Sequence, residues 1–146
     1  PARAGLGRLS RVLRGGGGLC VGPAAGWVRE ELDALGVRLN ERGNRTDETV
    51  AMVRAGWTED PVNFDATATG GQMVNMRANP RPNRHIPIWV GGMSDAALNR
   101  AVTFGDGWHA PGSTKKDSST HIVKLREART EDPFPISTRH QWVGLE

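Results

Sequence analysis

The stretch Val90-Gly91-Gly92-Met93-Ser94-Asp95 has the residue types and spacing to hold an anion. Two glycines after an apolar run allow the backbone to approach a ligand closely, and Ser94 then opens a helical pattern. The first N–H groups of a helix have no intrahelical partner, and the helix dipole adds about 0.3–1 kcal/mol for an anion there. A phosphate held by amides and a serine hydroxyl fits this pattern. A tight turn with Ser94 as a plain helix N-cap needs the same residues, and the Asp95 charge opposes a second anion.

A second constellation is Gly105-Asp106-Gly107-Trp108-His109, which reads as the next strand with His109 at its carboxyl end. Ligands of parallel α/β proteins bind at that end. His109 is the candidate catalytic residue, because a free imidazole titrates near pH 6.5 and can transfer protons. A hydrogen-bonded loop histidine explains the same residue without catalysis. Trp108 reads as core, and Asp106 as a turn residue bonding its own turn. No GxxxxGK[ST] loop, GxSxG elbow or GxGxxG fingerprint after a strand occurs. Cys20 reads as a small buried hydrophobe with no base nearby in sequence.

These motifs need elements to position them. Leu19-Cys20-Val21-Gly22 is a short buried-strand candidate, and Val28, Leu32 and Leu35 recur at helical spacing before a Gly36 cap. A second helix is expected from an Asn44 N-cap, with Asp47 and Glu48 in its first turn and Val50, Val53 and Trp57 on its apolar face. Residues 61–85 read as a hairpin-like insertion, with Gly70-Gly71 between two short alternating stretches. Ile86 to Val90 form the apolar run of a doubly buried strand. Ala97, Leu98, Ala101 and Val102 mark one helix, Ile122 and Leu125 another, and residues 134–137 a further strand. About four strands alternating with helices predict an α/β fold with a parallel sheet.

Length and composition narrow the classes. The chain has 146 residues, enough for one domain, with 37% hydrophobic and 24% charged residues. No apolar run approaches a membrane span of about 20 residues. One cysteine excludes an internal disulfide, and the four histidines lack HxxxH or HExxH spacing, so no metal is expected. A cytoplasmic, metal-free protein follows. Nineteen Lys+Arg against sixteen Asp+Glu give a net charge of +3. The excess sits mostly at the start, where Arg3, Arg8, Arg11 and Arg14 meet no acid before Glu30, and beyond residue 29 the signs interleave. With no tyrosine and scattered tryptophans, a nucleic-acid partner is not expected. Residues 1–18 read as a basic amphipathic helix followed by a glycine-rich linker.

Taken in order, several blocks resemble the luciferase-like monooxygenases, and most of all the branch that uses the deazaflavin F420. They are the segment from Gly26-Trp27 to Gly36-Val37, Glu41-Arg42-Gly43-Asn44-Arg45, Trp57-Thr58-Glu59-Asp60-Pro61, Asn79-Pro80-Arg81-Pro82, Pro87-Ile88-Trp89-Val90-Gly91-Gly92 and Gly105-Asp106-Gly107-Trp108-His109. The resemblance implies a (β/α)₈ TIM barrel that binds F420, or alternatively FMN, and transfers hydride to or from a small organic substrate. It implies a cofactor phosphate near Gly91, Gly92 and Ser94, with Gly107 and Trp108 beside it and Gly22 bordering the ring system. A whole barrel needs about 250 residues, so residues 1–146 are expected to form about half of one. Two alternatives stand beside this reading. One is a non-catalytic remnant that self-associates as a homo-oligomer through open strand edges. The other is a phosphate-binding barrel enzyme without flavin.

Overall fold

A computed structural model describes residues 18–112, 115–130 and 134–139. The expected amphipathic helix and most of the glycine linker lie outside the described residues. The chain divides into two compact units, one containing Gly26–Ile86 and the other Val21–Ala25 with Pro87–Glu146.

The first unit holds two helices and a hairpin. Helix α1 (Arg29–Ala34) is short and buries no residue, and Leu35 after it is 76% exposed, so the expected apolar face is not a packed one. It ends where Gly36 takes φ +67°, a left-handed conformation that suits glycine after a helix. Helix α2 (Arg42–Thr58) starts earlier than the Asn44 N-cap expectation, with Glu41 at the N-cap. Glu41 lies 3.5 Å from Arg38 and 3.6 Å from Arg45, and the Arg42 guanidinium donates to the Leu39 carbonyl. Those contacts order the backbone ahead of Asn44 and move the helix start forward.

Strands β1 (Val62–Ala66) and β2 (Gly71–Met76) pair antiparallel, as the glycine-separated stretches predict. A bulge falls between Val62 and Phe64, opposite Asn75 at φ +49°. The Asn63 Oδ1 accepts from the Asn75 N–H at 2.9 Å and secures it.

Glu48 is not a first-turn residue. Its carboxylate accepts from the backbone N–H groups of Ala68 (2.8 Å) and Thr69 (2.5 Å) and from the hydroxyls of Thr67 and Thr69, fastening the hairpin turn to α2. Desolvation against the turn pushes the Glu48 pKa up, but the hydrogen bonds outweigh it and hold the carboxyl below its ordinary value.

The second unit is a parallel βα array. Strands β3 (Trp89–Gly91), β4 (Gly107–Ala110) and β5 (Ile136–Thr138) lie in that order, all parallel. The Val21 segment runs parallel along β3. The Val21 N–H donates to the Pro87 carbonyl, and the Trp89 and Gly91 N–H groups donate to the Val21 and Pro23 carbonyls. Cys20, expected to be buried, is exposed, because only the residues after it join the ladder. Helix α3 (Asp95–Phe104) connects β3 to β4, and α4 (Lys115–Ala128) connects β4 to β5.

Alternation sorts the sheet into two faces. Val90, Trp108 and Ala110 pack with Leu98, Ala101 and Leu125 into the buried core of this unit, with Ile122 and Ile136 against it. Trp89, Gly91, Gly107, His109 and Ser137 therefore belong to the opposite face. The class is α/β, and the described strands do not close into a barrel. No helix among the described residues is long and apolar enough to cross a membrane.

Candidate functional site

All seven residues singled out in the sequence fall in the second unit. Gly91 and Gly92 end β3. The Gly92 N–H donates to the His109 carbonyl at 3.3 Å, and the Trp108 Nε1–H donates to the Gly92 carbonyl at 2.8 Å. Gly92 has φ +132°, and a Cβ there would stand 2.8 Å from the Ala97 Cβ. Only glycine allows the chain to turn so tightly from β3 into α3.

Ser94 is the α3 N-cap, and its Oγ accepts from the Ala97 N–H at 3.2 Å. That bond uses an oxygen lone pair and leaves the hydroxyl proton for another acceptor. Among the described residues, the N–H groups of Met93, Ser94, Asp95 and Ala96 have no acceptor. Asp95, whose charge opposes an anion, is paired with the Lys124 ammonium at 3.1 Å. Both partners are exposed, so the pair is weak, yet it offsets the local negative charge.

Two of the expected contact residues, Trp108 and Gly107, are buried within the fold. Trp108 has no exposed surface, and its indole stacks with the His121 ring at 6.1 Å. Gly107 lies at the amino end of β4, buried beneath the Trp89 ring, where a Cβ would come within 2.9 Å of that ring and of the Pro135 carbonyl. Trp108 thus supports the turn through its indole N–H, and Gly107 leaves room for the Trp89 ring beside β4. Gly22 is exposed one strand away, 3.7 Å in Cβ terms from the Trp89 carbonyl.

Asp106 does more than bond its own turn. Its Oδ2 accepts from the Ile88 N–H at 2.8 Å, and its N–H donates to the Ile88 carbonyl at 2.8 Å, joining β4 to the chain before β3. His109 is half-buried, and its Nδ1 lies 2.8 Å from the Ser137 Oγ. Nothing local in the sequence marks Ser137, because the register of β4 and β5 makes the pair.

Two open grooves lie elsewhere. One of about 350 Å³ runs between α3 and α4 and is lined by Asp95, Leu98, Asn99, Val102, Lys124 and Leu125. The other, of about 490 Å³, is bordered in the first unit by Arg29, Asp33, Arg38 and Arg42. Among the described residues no group of three or more His, Cys, Asp or Glu is arranged to hold a metal ion.

Comparison with known proteins adds a lineage to this geometry. The family described as luciferase-like monooxygenase matches residues 6–140. A relative of unknown role from Mycobacterium tuberculosis strain H37Rv is 33% identical over 134 residues, covering 89% of this chain and 45% of the relative. The FMNH₂-dependent dimethylsulfone monooxygenase of Pseudomonas putida is 25% identical over 114 residues, 76% of this chain and 31% of that protein. The chain thus spans less than half the length of these relatives. Among solved structures, an F420-dependent secondary alcohol dehydrogenase bound to an F420–acetone adduct superposes with TM-score 0.73 at 21% identity, covering 88% of this chain and 41% of that one. The monooxygenase RslO1 of Streptomyces bottropensis superposes with TM-score 0.77 at 22% identity, covering 94% and 44%. These similarities show a shared fold.

Proposed function

The chain belongs to the luciferase-like monooxygenase family, and we propose that it carries the phosphate-binding part of a (β/α)₈ oxidoreductase that uses F420 or, alternatively, FMN. The observation that carries this reading is the turn at Gly91, Gly92 and Ser94. It combines a glycine backbone that admits no side chain, unpaired N–H groups at the start of α3 and a serine hydroxyl free to donate. When bound, such a cofactor accepts or delivers a hydride, and the protein orients it and excludes water.

This chain's own residues have distinct parts in that arrangement. Ser94 and the Asp95 and Ala96 N–H groups meet the phosphate. The buried Trp108 holds the Gly92 carbonyl back, so that the N–H groups face the ligand. His109 is the candidate for proton handling, since it lies on the sheet face opposite the α3–α4 core, one strand from Gly91. An alcohol dehydrogenase among the F420-using relatives in fold and an FMNH₂ monooxygenase among those in sequence support both cofactors.

The test is a fluorescence titration of the purified chain with F420 and FMN. Saturable binding that weakens at least tenfold in a Gly92→Val, Ser94→Ala double variant is the expected result. Unchanged affinity in the double variant sinks the phosphate assignment.

A second reading, self-association without catalysis, is favoured by the exposure of Trp27 (85%) and Val74 (65%). Light scattering separates them: a defined oligomer that binds neither cofactor supports the second.

A further inference from the structure

The first unit contains an open groove of about 490 Å³ bordered by Arg29, Asp33, Arg38, Leu39, Asn40 and Arg42. Its basic residues come from three places in the chain: Arg29 opens α1, Arg38 lies in the connection, and Arg42 opens α2. Small-molecule sites occupy about 300–1,000 Å³, so the space suffices for one. Three guanidiniums and one carboxylate border it, which gives the wall an excess of positive charge.

The acids of this segment do not cancel that excess. Glu41 is shared between Arg38 at 3.5 Å and Arg45 at 3.6 Å and does not border the groove. Asp33 follows Arg29 by four residues, a spacing at which helical ion pairs form. Yet among the described residues neither of these two side chains has an ion pair or a hydrogen bond. Arg42 is half-buried, and its Nη1 donates to the Leu39 carbonyl. That bond fixes the guanidinium and leaves four of its five N–H donors for another acceptor. The first turn of α2 contains no acid, so only Glu41, already shared by two arginines, offsets the positive end of that helix.

We propose that this groove binds a small polyvalent oxyanion, a polycarboxylate or a phosphate, through Arg29 and Arg42. Guanidinium forks pair with both kinds of anion through parallel N–H···O bonds. Arg42 is the preset donor, and Arg29 is the unpaired charge that closes on the ligand. Arg38, whose side chain is 80% exposed, adds attraction from the rim, and the Asn40 amide adds neutral donors. Asp33 opposes the anion, but one charge stands against three. The attraction therefore grows with the charge of the ligand and favours a polyvalent anion over a monoanion. The groove uses no residue of the β3–α3 turn, so it stands independently of the cofactor reading.

The experiment records backbone amide and arginine Nε–Hε NMR signals of the purified chain during titration with inorganic phosphate, with citrate and with acetate. Saturable shifts at Arg29, Asn40 and Arg42 are expected, with half-saturation below about 1 mM for phosphate or citrate and far weaker binding of acetate. A response to citrate alone identifies a polycarboxylate site, and a response to phosphate alone a phosphate site. Arg29→Gln removes an exposed charge that no contact in the fold uses, and it should weaken binding roughly three- to tenfold. Asp33→Asn removes the repulsion and should tighten binding roughly two- to fivefold. Far-UV circular dichroism on each variant establishes that the fold is retained. No saturable shift at these residues with either polyvalent anion, an equal response to acetate, or unchanged affinity in Arg29→Gln overturns the assignment. Phosphate shifts confined to residues 92–96 overturn it while supporting the cofactor turn, and shifts confined to residues 29–42 uphold the groove whatever that turn binds.

Discussion

Trp108→Phe tests how the Gly91–Gly92 turn is held. The indole has no exposed surface, donates Nε1–H to the Gly92 carbonyl at 2.8 Å and stacks on His121. Phenylalanine keeps a ring but no donor. Loss of that hydrogen bond costs about 0.5–1.5 kcal/mol. The missing ring atoms amount to roughly two buried methylenes, or about 1.5 kcal/mol, and incomplete collapse of the gap adds to this. The weakened stack contributes up to about 1 kcal/mol more. The sum is about 2–4 kcal/mol. With a urea slope of about 1–3 kcal/mol/M, the unfolding midpoint should fall on the order of 1–2 M at unchanged slope. Urea unfolding by far-UV circular dichroism measures it, with Trp27→Phe as the control. Trp27 is 85% exposed, so its loss should move the midpoint by less than about 0.5 kcal/mol equivalent. Equal midpoints for the two variants would refute the buried hydrogen-bonded role of Trp108.

Further outcomes follow from the same packing. Asp106→Ala leaves the Ile88 N–H, on a residue 1% exposed, without its side-chain acceptor; a loss of about 1–3 kcal/mol is expected in thermal unfolding, and Asp106→Asn should recover most of it. Gly107→Ala places a methyl group 2.9 Å from the Trp89 ring and the Pro135 carbonyl, so about 1–3 kcal/mol should be lost, whereas Gly18→Ala, with no neighbour within 4 Å, should be neutral. The Glu48 carboxyl is depressed in the folded state, so the unfolded chain binds more protons over that range and the hairpin anchor gains with rising pH. It is complete above the ordinary glutamate range and lost as pH falls through the lowered folded pKa. Amide exchange at Ala68 and Thr69 should show this, and Glu48→Gln should flatten the dependence.

The turn at the end of β3 was legible because every local requirement agreed there. Two glycines, an N-capping serine and a helical apolar stripe at Ala97, Leu98 and Ala101 each point to the same strand-to-helix change, and α3 begins where Ser94 predicts. The hairpin was legible for a similar reason, with Gly70-Gly71 between alternating stretches. The start of α2 was not, because Asn44 is a good cap in isolation while Glu41 wins through its pairs with Arg38 and Arg45. Cys20 read as buried from its type, yet the ladder begins one residue later. Glu48 and Ser137 were missed for one shared reason. Their partners, Ala68 and Thr69 in one case and His109 in the other, are distant in sequence and become neighbours only through the fold.

The central claim concerns a phosphate at the start of α3, and the most direct measurement compares FMN with riboflavin, which has the same ring system without the phosphate. Backbone amide shifts are recorded across residues 90–98 while each is titrated into the chain. The account predicts saturable shifts centred on Gly92, Ser94, Asp95 and Ala96 with FMN, or with F420, and none there with riboflavin. Equal shifts from FMN and riboflavin, or FMN shifts confined to other parts of the chain, would contradict it.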